Sequence, residues 1–119
     1  MAEMKRVLIV EDEALTALAL ESYIEGIGHK VVGLSASGED AVRQAKSEKP
    51  DLVFMDVRLA GKMDGMEAAR LIDRDRSTAI VIISGYTRSG IDESAYKPRA
   101  YLSKPIDFAA IDEILKEFA

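Results

Sequence analysis

Apolar residues along this chain fall into short unbroken runs, separated by longer stretches in which they recur three or four positions apart. The runs predict strands at Arg6–Val10, Lys30–Leu34, Leu52–Met55, Ile80–Ile83 and Ala100–Leu102. The intervening stretches predict helices. One carries Leu15, Leu18, Ala19, Ile24 and Ile27 and stops at Gly28; a second carries Ala41, Val42 and Ala45 after Ser37 and before Pro50. A third carries Met66, Ala69, Leu71 and Ile72, and the last carries Ile111, Ile114, Leu115 and Phe118. Between Gly90 and Pro98 there is room only for a helix of about two turns, from Ile91 to Tyr96 or Lys97, with Ile91, Ala95 and Tyr96 as its apolar contacts. Unbroken apolar strands belong to parallel sheets covered by helices on both faces. Strict alternation of strand and helix predicts a doubly wound α/β domain, (βα)5, with its five parallel strands in the order 2-1-3-4-5.

The 119 residues make one domain, 1–119, large enough for a single core without staples. Cysteine is absent, which rules out a disulfide framework and suits a reducing compartment. The net charge of −5 argues against direct nucleic-acid binding by this domain. The apolar run before Glu11 is too short for a signal-peptide core or a membrane span. The lone His29 follows Gly28 at a helix end, where a solvated side chain is expected.

The acidic excess has a location. The first predicted strand ends in Glu11-Asp12-Glu13 and the third in Asp56. In the 2-1-3-4-5 order these strands are neighbours, and ligands of open α/β sheets bind beyond the carboxyl ends of the strands. Glu11, Asp12 and Asp56 should therefore converge. Two unit charges about 4 Å apart repel by about 4 kcal/mol at an effective dielectric of about 20, so such a cluster calls for a divalent cation. With oxygen ligands alone, Mg²⁺ is the expected ion. A helix N-terminus accounts for Glu13 but not for two acids facing a third. Ser84 ends the fourth strand with a hydroxyl and Gly85 leaves the approach open; Lys104 ends the fifth with an ammonium group, and Pro105 after it admits a cis peptide. Metal, hydroxyl and cation around a carboxylate are what phosphoryl transfer requires, with Asp56 as nucleophile.

From Lys5 to Phe118 the chain resembles the receiver domains of two-component response regulators. The matching residues are Val10-Glu11-Asp12-Glu13, Asp56 after its apolar strand, Met63-Asp64-Gly65-Met66-Glu67, Ser84-Gly85 and Lys104-Pro105. The resemblance implies a flavodoxin-like fold and phosphorylation of Asp56 by a sensor histidine kinase or phosphotransfer protein, and by small phosphodonors. It implies Mg²⁺ held by Asp12, Asp56 and the backbone carbonyl of Arg58, with Glu11 acting through water, and no further cofactor. Ser84 would be the switch hydroxyl, Tyr101 the aromatic that changes rotamer with it, and Lys104 the cation on the phosphate. Activation would alter the face made by helix 4, strand 5 and helix 5, through which a homodimer could also form. A cytoplasmic, non-enzymatic signalling domain is implied, with the output domain unspecified.

Three departures accompany the resemblance. The stretch Val57–Lys62 before Met63-Asp64-Gly65 is one residue longer than in the commonest receivers, with Ala60 and Gly61 in place of a proline. Ser84 stands where Thr is more common, which keeps the hydroxyl. The Ser84–Lys104 segment is shorter than usual. Arg58 and Tyr86 each lie two residues beyond a pocket residue, so both are expected to lean over the mouth and slow attack by hydrolytic water. A flavodoxin-type cofactor binder would need a hydroxyl- and glycine-rich loop where Glu11-Asp12-Glu13 stands, and an aspartyl-phosphate phosphohydrolase a second Asp where Arg58 stands. The remaining alternative is a degenerate receiver acting only as a protein-interaction module. The chain is expected to be either a stand-alone receiver or the N-terminal piece of a longer protein.

Overall fold

Leu52–Asp56 is buried at every position and forms the central strand of the sheet. The computed structural model describes residues 3–59, 61–75, 78–85, 93–94 and 96–117. In chain order the elements are β1 (Arg6–Val10), α1 (Ala14–Gly26), β2 (Lys30–Ser35), α2 (Gly38–Glu48), β3 (Leu52–Asp56), α3 (Gly65–Asp75), β4 (Ala79–Ser84), β5 (Ala100–Ser103) and α4 (Phe108–Glu117). All strand pairs are parallel, in the order β2-β1-β3-β4-β5. The expected doubly wound sheet is therefore present.

Consecutive strand residues feed opposite core layers, as the period of two requires. Val7, Ile9, Phe54, Val81 and Ile83 pack with Leu20 and Ile24 of α1 and Ile111 and Leu115 of α4. Leu8, Val10, Val53, Met55, Ile80 and Ile82 pack with Ala41 of α2 and with Ala69 and Ile72 of α3. Complete burial of such an aliphatic or aromatic side chain is worth about 1.5–3 kcal/mol, which makes this sheet a stiff platform. Phe108, at the start of α4, stacks on Tyr23 of α1 at 4.7 Å.

Local signals set the element ends. The Ser37 hydroxyl accepts the Asp40 backbone N–H at 3.1 Å and caps α2. Lys49 closes that helix in the left-handed region, φ 49°, and Gly28 takes φ 99° just beyond α1. Four strands run one residue further than their apolar runs predicted, because ladder bonds continue after the apolar residues stop: Val57 N–H donates to Ile83 O at 3.1 Å, and Lys104 N–H to Ser84 O at 3.0 Å.

Three expectations are corrected. Leu15 and Leu18, read as inward positions of α1, are 80% and 52% exposed, while Ala17, Leu20 and Ile24 are buried. The helix is apolar around much of its circumference, so spacing alone did not single out the buried face. His29 is half-buried, and its Nδ1 accepts the Lys5 backbone N–H at 3.0 Å. The ring thus acts as an extra acceptor beside the β1–β2 ladder. For the predicted helix from Ile91 to Lys97, Ile91, Asp92 and Ala95 lie outside the described residues, and Glu93, Ser94, Tyr96 and Lys97 are not helical.

Candidate functional site

At the carboxyl ends of β1 and β3, carboxylate oxygens of Glu11, Asp12 and Asp56 lie within 4.8 Å of one another. Glu11 and Asp56 are 4% exposed, and Asp12 faces solvent. Glu11 Oε2 accepts the Glu13 backbone N–H at 3.0 Å, and Asp56 Oδ1 accepts that of Arg58 at 3.1 Å. Glu13 does not cap α1 with its side chain; it takes the Thr16 hydroxyl.

Lys104 reaches this cluster from β5. Its Nζ donates to Asp56 Oδ2 at 2.9 Å and lies 3.0 Å from Glu11 Oε1, an ion-pair distance off the directions a hydrogen bond needs. The Lys104–Pro105 peptide is cis. Burial is the largest influence on Glu11 and raises its pKa above the ordinary carboxylate value, with the Asp56 charge adding to it and the Glu13 N–H and Lys104 opposing. Burial also works against the charged form of Lys104, but Asp56 and Glu11 together exceed it and hold its pKa above the ordinary lysine value.

A cavity of about 440 Å³ opens onto these groups, lined by Asp12, Asp56, Val57, Arg58, Ser84, Gly85 and Lys104. Ser84 ends β4 at 4% exposure and Arg58 stands exposed at the rim. Tyr86, expected at the mouth, lies outside the described residues. Tyr101 is half-buried against the α3-side core, and its hydroxyl donates to the Glu93 carboxylate. The structure thus brings together Glu11, Asp12, Asp56, Arg58, Ser84 and Lys104, and holds Tyr101 outside the cavity lining.

Two supporting residues carry physical roles that the sequence pattern did not disclose. A Cβ on Gly65 would lie 2.0 Å from the Asp56 carbonyl oxygen and 2.9 Å from Val57 Cα. The glycine lets α3 start directly beneath the acid cluster, held by Gly65 N–H to Val57 O at 2.8 Å. The lengthened β3–α3 loop leans on α2: a Cβ on Gly38 would stand 3.0 Å from the Met63 carbonyl oxygen, and Gly61, at φ 92°, faces Glu39. The second residue is Ser35 at the end of β2, 3% exposed, whose only signal was a polar residue closing an apolar run.

The residues fit a divalent cation. Three carboxylates converge beside the Lys104 ammonium, and every donor is oxygen. A doubly wound sheet carrying such an acid cluster with a lysine at its strand ends offers a divalent cation an all-oxygen donor set. The chain belongs to the response regulator receiver domain family, whose model matches residues 7–116, and is therefore a signalling domain of two-component systems. Receiver domains bind Mg²⁺ at an acidic cluster of this kind. The chain is similar to the transcriptional regulatory protein PdtaR of Mycobacterium tuberculosis, 37% identical over 107 residues that cover 88% of this chain and 52% of that protein. It thus spans about half the length of that relative. It is also similar to the chemotaxis protein CheY of Thermotoga maritima, 32% identical over 116 residues, covering 95% of this chain and 96% of that protein. Among solved structures, the signal receiver domain of a modulated diguanylate cyclase from Desulfovibrio desulfuricans superposes with a TM-score of 0.84 at 30% identity, over 98% of this chain and 97% of that one. No helix among the described residues is long and apolar enough to cross a membrane.

Proposed function

We propose that residues 1–119 form one receiver unit that accepts a phosphoryl group on Asp56 from the phosphohistidine of a sensor kinase or phosphotransfer protein. The observation that carries this reading is the convergence of the Asp12 and Glu11 carboxylates and the Lys104 ammonium on the Asp56 side chain. An Asp56 carboxylate oxygen attacks phosphorus in line, the P–N bond breaks, and the imidazole leaves with its electron pair, so that an acyl phosphate remains on Asp56. Lys104 meets the negative charge on the phosphoryl oxygens, and the Ser84 hydroxyl donates to one of them. Glu11, Asp12, Asp56 and the Arg58 backbone carbonyl would hold Mg²⁺, which supplies further positive charge to those oxygens when bound. Arg58 at the rim, with Tyr86, limits access of hydrolytic water to the acyl phosphate.

The partner's footing lies on the Lys104 side. Exposed Leu15 and Phe108 flank a groove of about 400 Å³ that runs from α1 to Lys104, Pro105 and Ile106. In this reading the domain works in the cytoplasm and binds no nucleic acid itself. Phosphorylation draws Ser84 inward and alters the surface of the segment after β4, of β5 with Tyr101, and of α4, where an output partner or a second copy docks. A Phos-tag gel after incubation with a small acyl-phosphate donor tests the reading. A shifted band that requires Mg²⁺ is expected; an unshifted band at every donor and Mg²⁺ concentration would leave only the interaction-module alternative.

A further inference from the structure

The acid cluster is braced from two sides. On one, the Ser35 carbonyl accepts the Glu11 backbone N–H at 2.8 Å. On the other stands the β3–α3 loop, which carries the Arg58 carbonyl. The base of that loop is closed by the Gly65 N–H on Val57 O at 2.8 Å, and the Arg58 N–H is tied to Asp56 Oδ1 at 3.1 Å. Away from its base the loop rests on the first turn of α2. Gly38 is buried there, and a Cβ on it would stand 3.0 Å from both the carbonyl oxygen and Cγ of Met63. At the next helix position, the Glu39 carboxylate would lie 3.2 Å from a Cβ on Gly61. Leu59 and Met63 pack against the core layer that α2 and α3 share. Alanine is the better helix former, and Gly38 is not in the left-handed region. Neither helix propensity nor backbone conformation therefore calls for glycine at position 38; the close approach of the loop does.

We propose that Gly38 is a positioning residue for the cation site. Its missing side chain lets the β3–α3 loop seat on α2, and that seat sets where the Arg58 carbonyl stands beside Asp56. The inference rests on the proposed role of that carbonyl toward Mg²⁺. A Cβ at 3.0 Å obliges its neighbour to give by a few tenths of an ångström. Mg²⁺ tolerates little displacement of its oxygen ligands, and groups that orient those ligands affect affinity without touching the ion.

The test uses the full chain as wild type, Gly38→Ala and Ser37→Ala; the last removes the α2 cap and adds nothing toward the loop. Mg²⁺ affinity is measured by isothermal titration calorimetry, and exchange of the Gly65 amide by NMR in EDTA. Gly38→Ala should weaken Mg²⁺ binding on the order of tenfold and speed exchange at Gly65, whereas Ser37→Ala should lower the Tm and leave Mg²⁺ affinity unchanged. Unchanged affinity in Gly38→Ala would overturn the proposal. An equal loss in Ser37→Ala would overturn it too, because the effect would then belong to helix stability. Should Gly38→Ala not fold, Met63→Ala, which takes Cγ out of the seat, must show weaker Mg²⁺ binding and faster Gly65 exchange; wild-type values there would contradict the proposal equally. If the wild type bound no Mg²⁺, the cation reading and the role of Gly38 toward it would both fall, while the Gly65 exchange would still show whether Gly38 seats the loop.

Discussion

Lys104 Nζ and Asp56 Oδ2 stand 2.9 Å apart although 48 positions separate the two residues in the chain. Their meeting depends on β4 alone, the single strand between β3 and β5, whose ladders align Asp56 with Ile83 and Leu102 with the same Ile83. The same ammonium also lies 3.0 Å from Glu11 Oε1, so one cation offsets two buried carboxylates.

Lys104→Met leaves those carboxylates facing each other without it. The metal-free protein at pH 7 should lose about 1 kcal/mol, less than for a fully buried pair because the Lys104 side chain is 34% exposed. The sign with pH follows from the raised pKa. The folded state holds the Lys104 proton more tightly than the unfolded chain, so the contribution is complete below 10.5 and is lost as pH rises through the higher folded value. Urea midpoints for wild type and variant in EDTA should differ at pH 7 and draw together at strongly alkaline pH; equal midpoints at pH 7 would contradict the ion pair.

Gly65→Ala places a methyl group 2.0 Å from the Asp56 carbonyl oxygen, where only backbone can give way. A loss of about 1–3 kcal/mol is expected, together with slower phosphorylation as the end of β3 shifts. Gly26→Ala meets nothing within 4 Å and serves as the control. Denaturant unfolding should separate the two variants clearly; a neutral Gly65→Ala would mean that α3 does not start where it is drawn.

Tyr96 should ionise well above the ordinary tyrosine value. Burial, reinforced by the Asp73 charge and partly offset by Arg99, pushes its pKa up to about 12. Between the ordinary value of 10.0 and about 12 the folded state binds more protons than the unfolded chain, so stability falls as pH rises through that window. Ultraviolet titration of phenolate absorbance should show a late component whose amplitude falls by one phenolate in Tyr96→Phe. An unchanged amplitude in the variant would assign it to another tyrosine.

The sheet was legible in the sequence because its strands are unbroken apolar runs, and Asp56, Ser84 and Lys104 stood out as polar residues closing them. What remained hidden has physical causes. The inward face of α1 was obscured because Leu15 and Leu18 are as apolar as the buried Leu20 and Ile24. Gly65 matched a motif, but its steric reason exists only once α3 is laid against β3. Hydrogen bonding of His29 to Lys5 joins the residues just before β2 and β1, which no local pattern encodes. Ser35 carried a weak signal of the same kind as Ser84, a hydroxyl at a strand end, but on β2, which unlike β4 is not a neighbour of β3 and its Asp56.

The central claim is that Asp56 is the phosphoryl acceptor. Wild type and Asp56→Asn are incubated with a phosphorylated histidine kinase or a small acyl-phosphate donor and Mg²⁺, then reduced with borohydride and mapped by mass spectrometry. An acyl phosphate on Asp56 is converted to homoserine, so homoserine at position 56 of the wild type and no phosphorylation of Asp56→Asn is the predicted result. Normal-rate labelling of Asp56→Asn, homoserine at position 12, or 5-hydroxynorvaline at position 11 in the wild type, would contradict it.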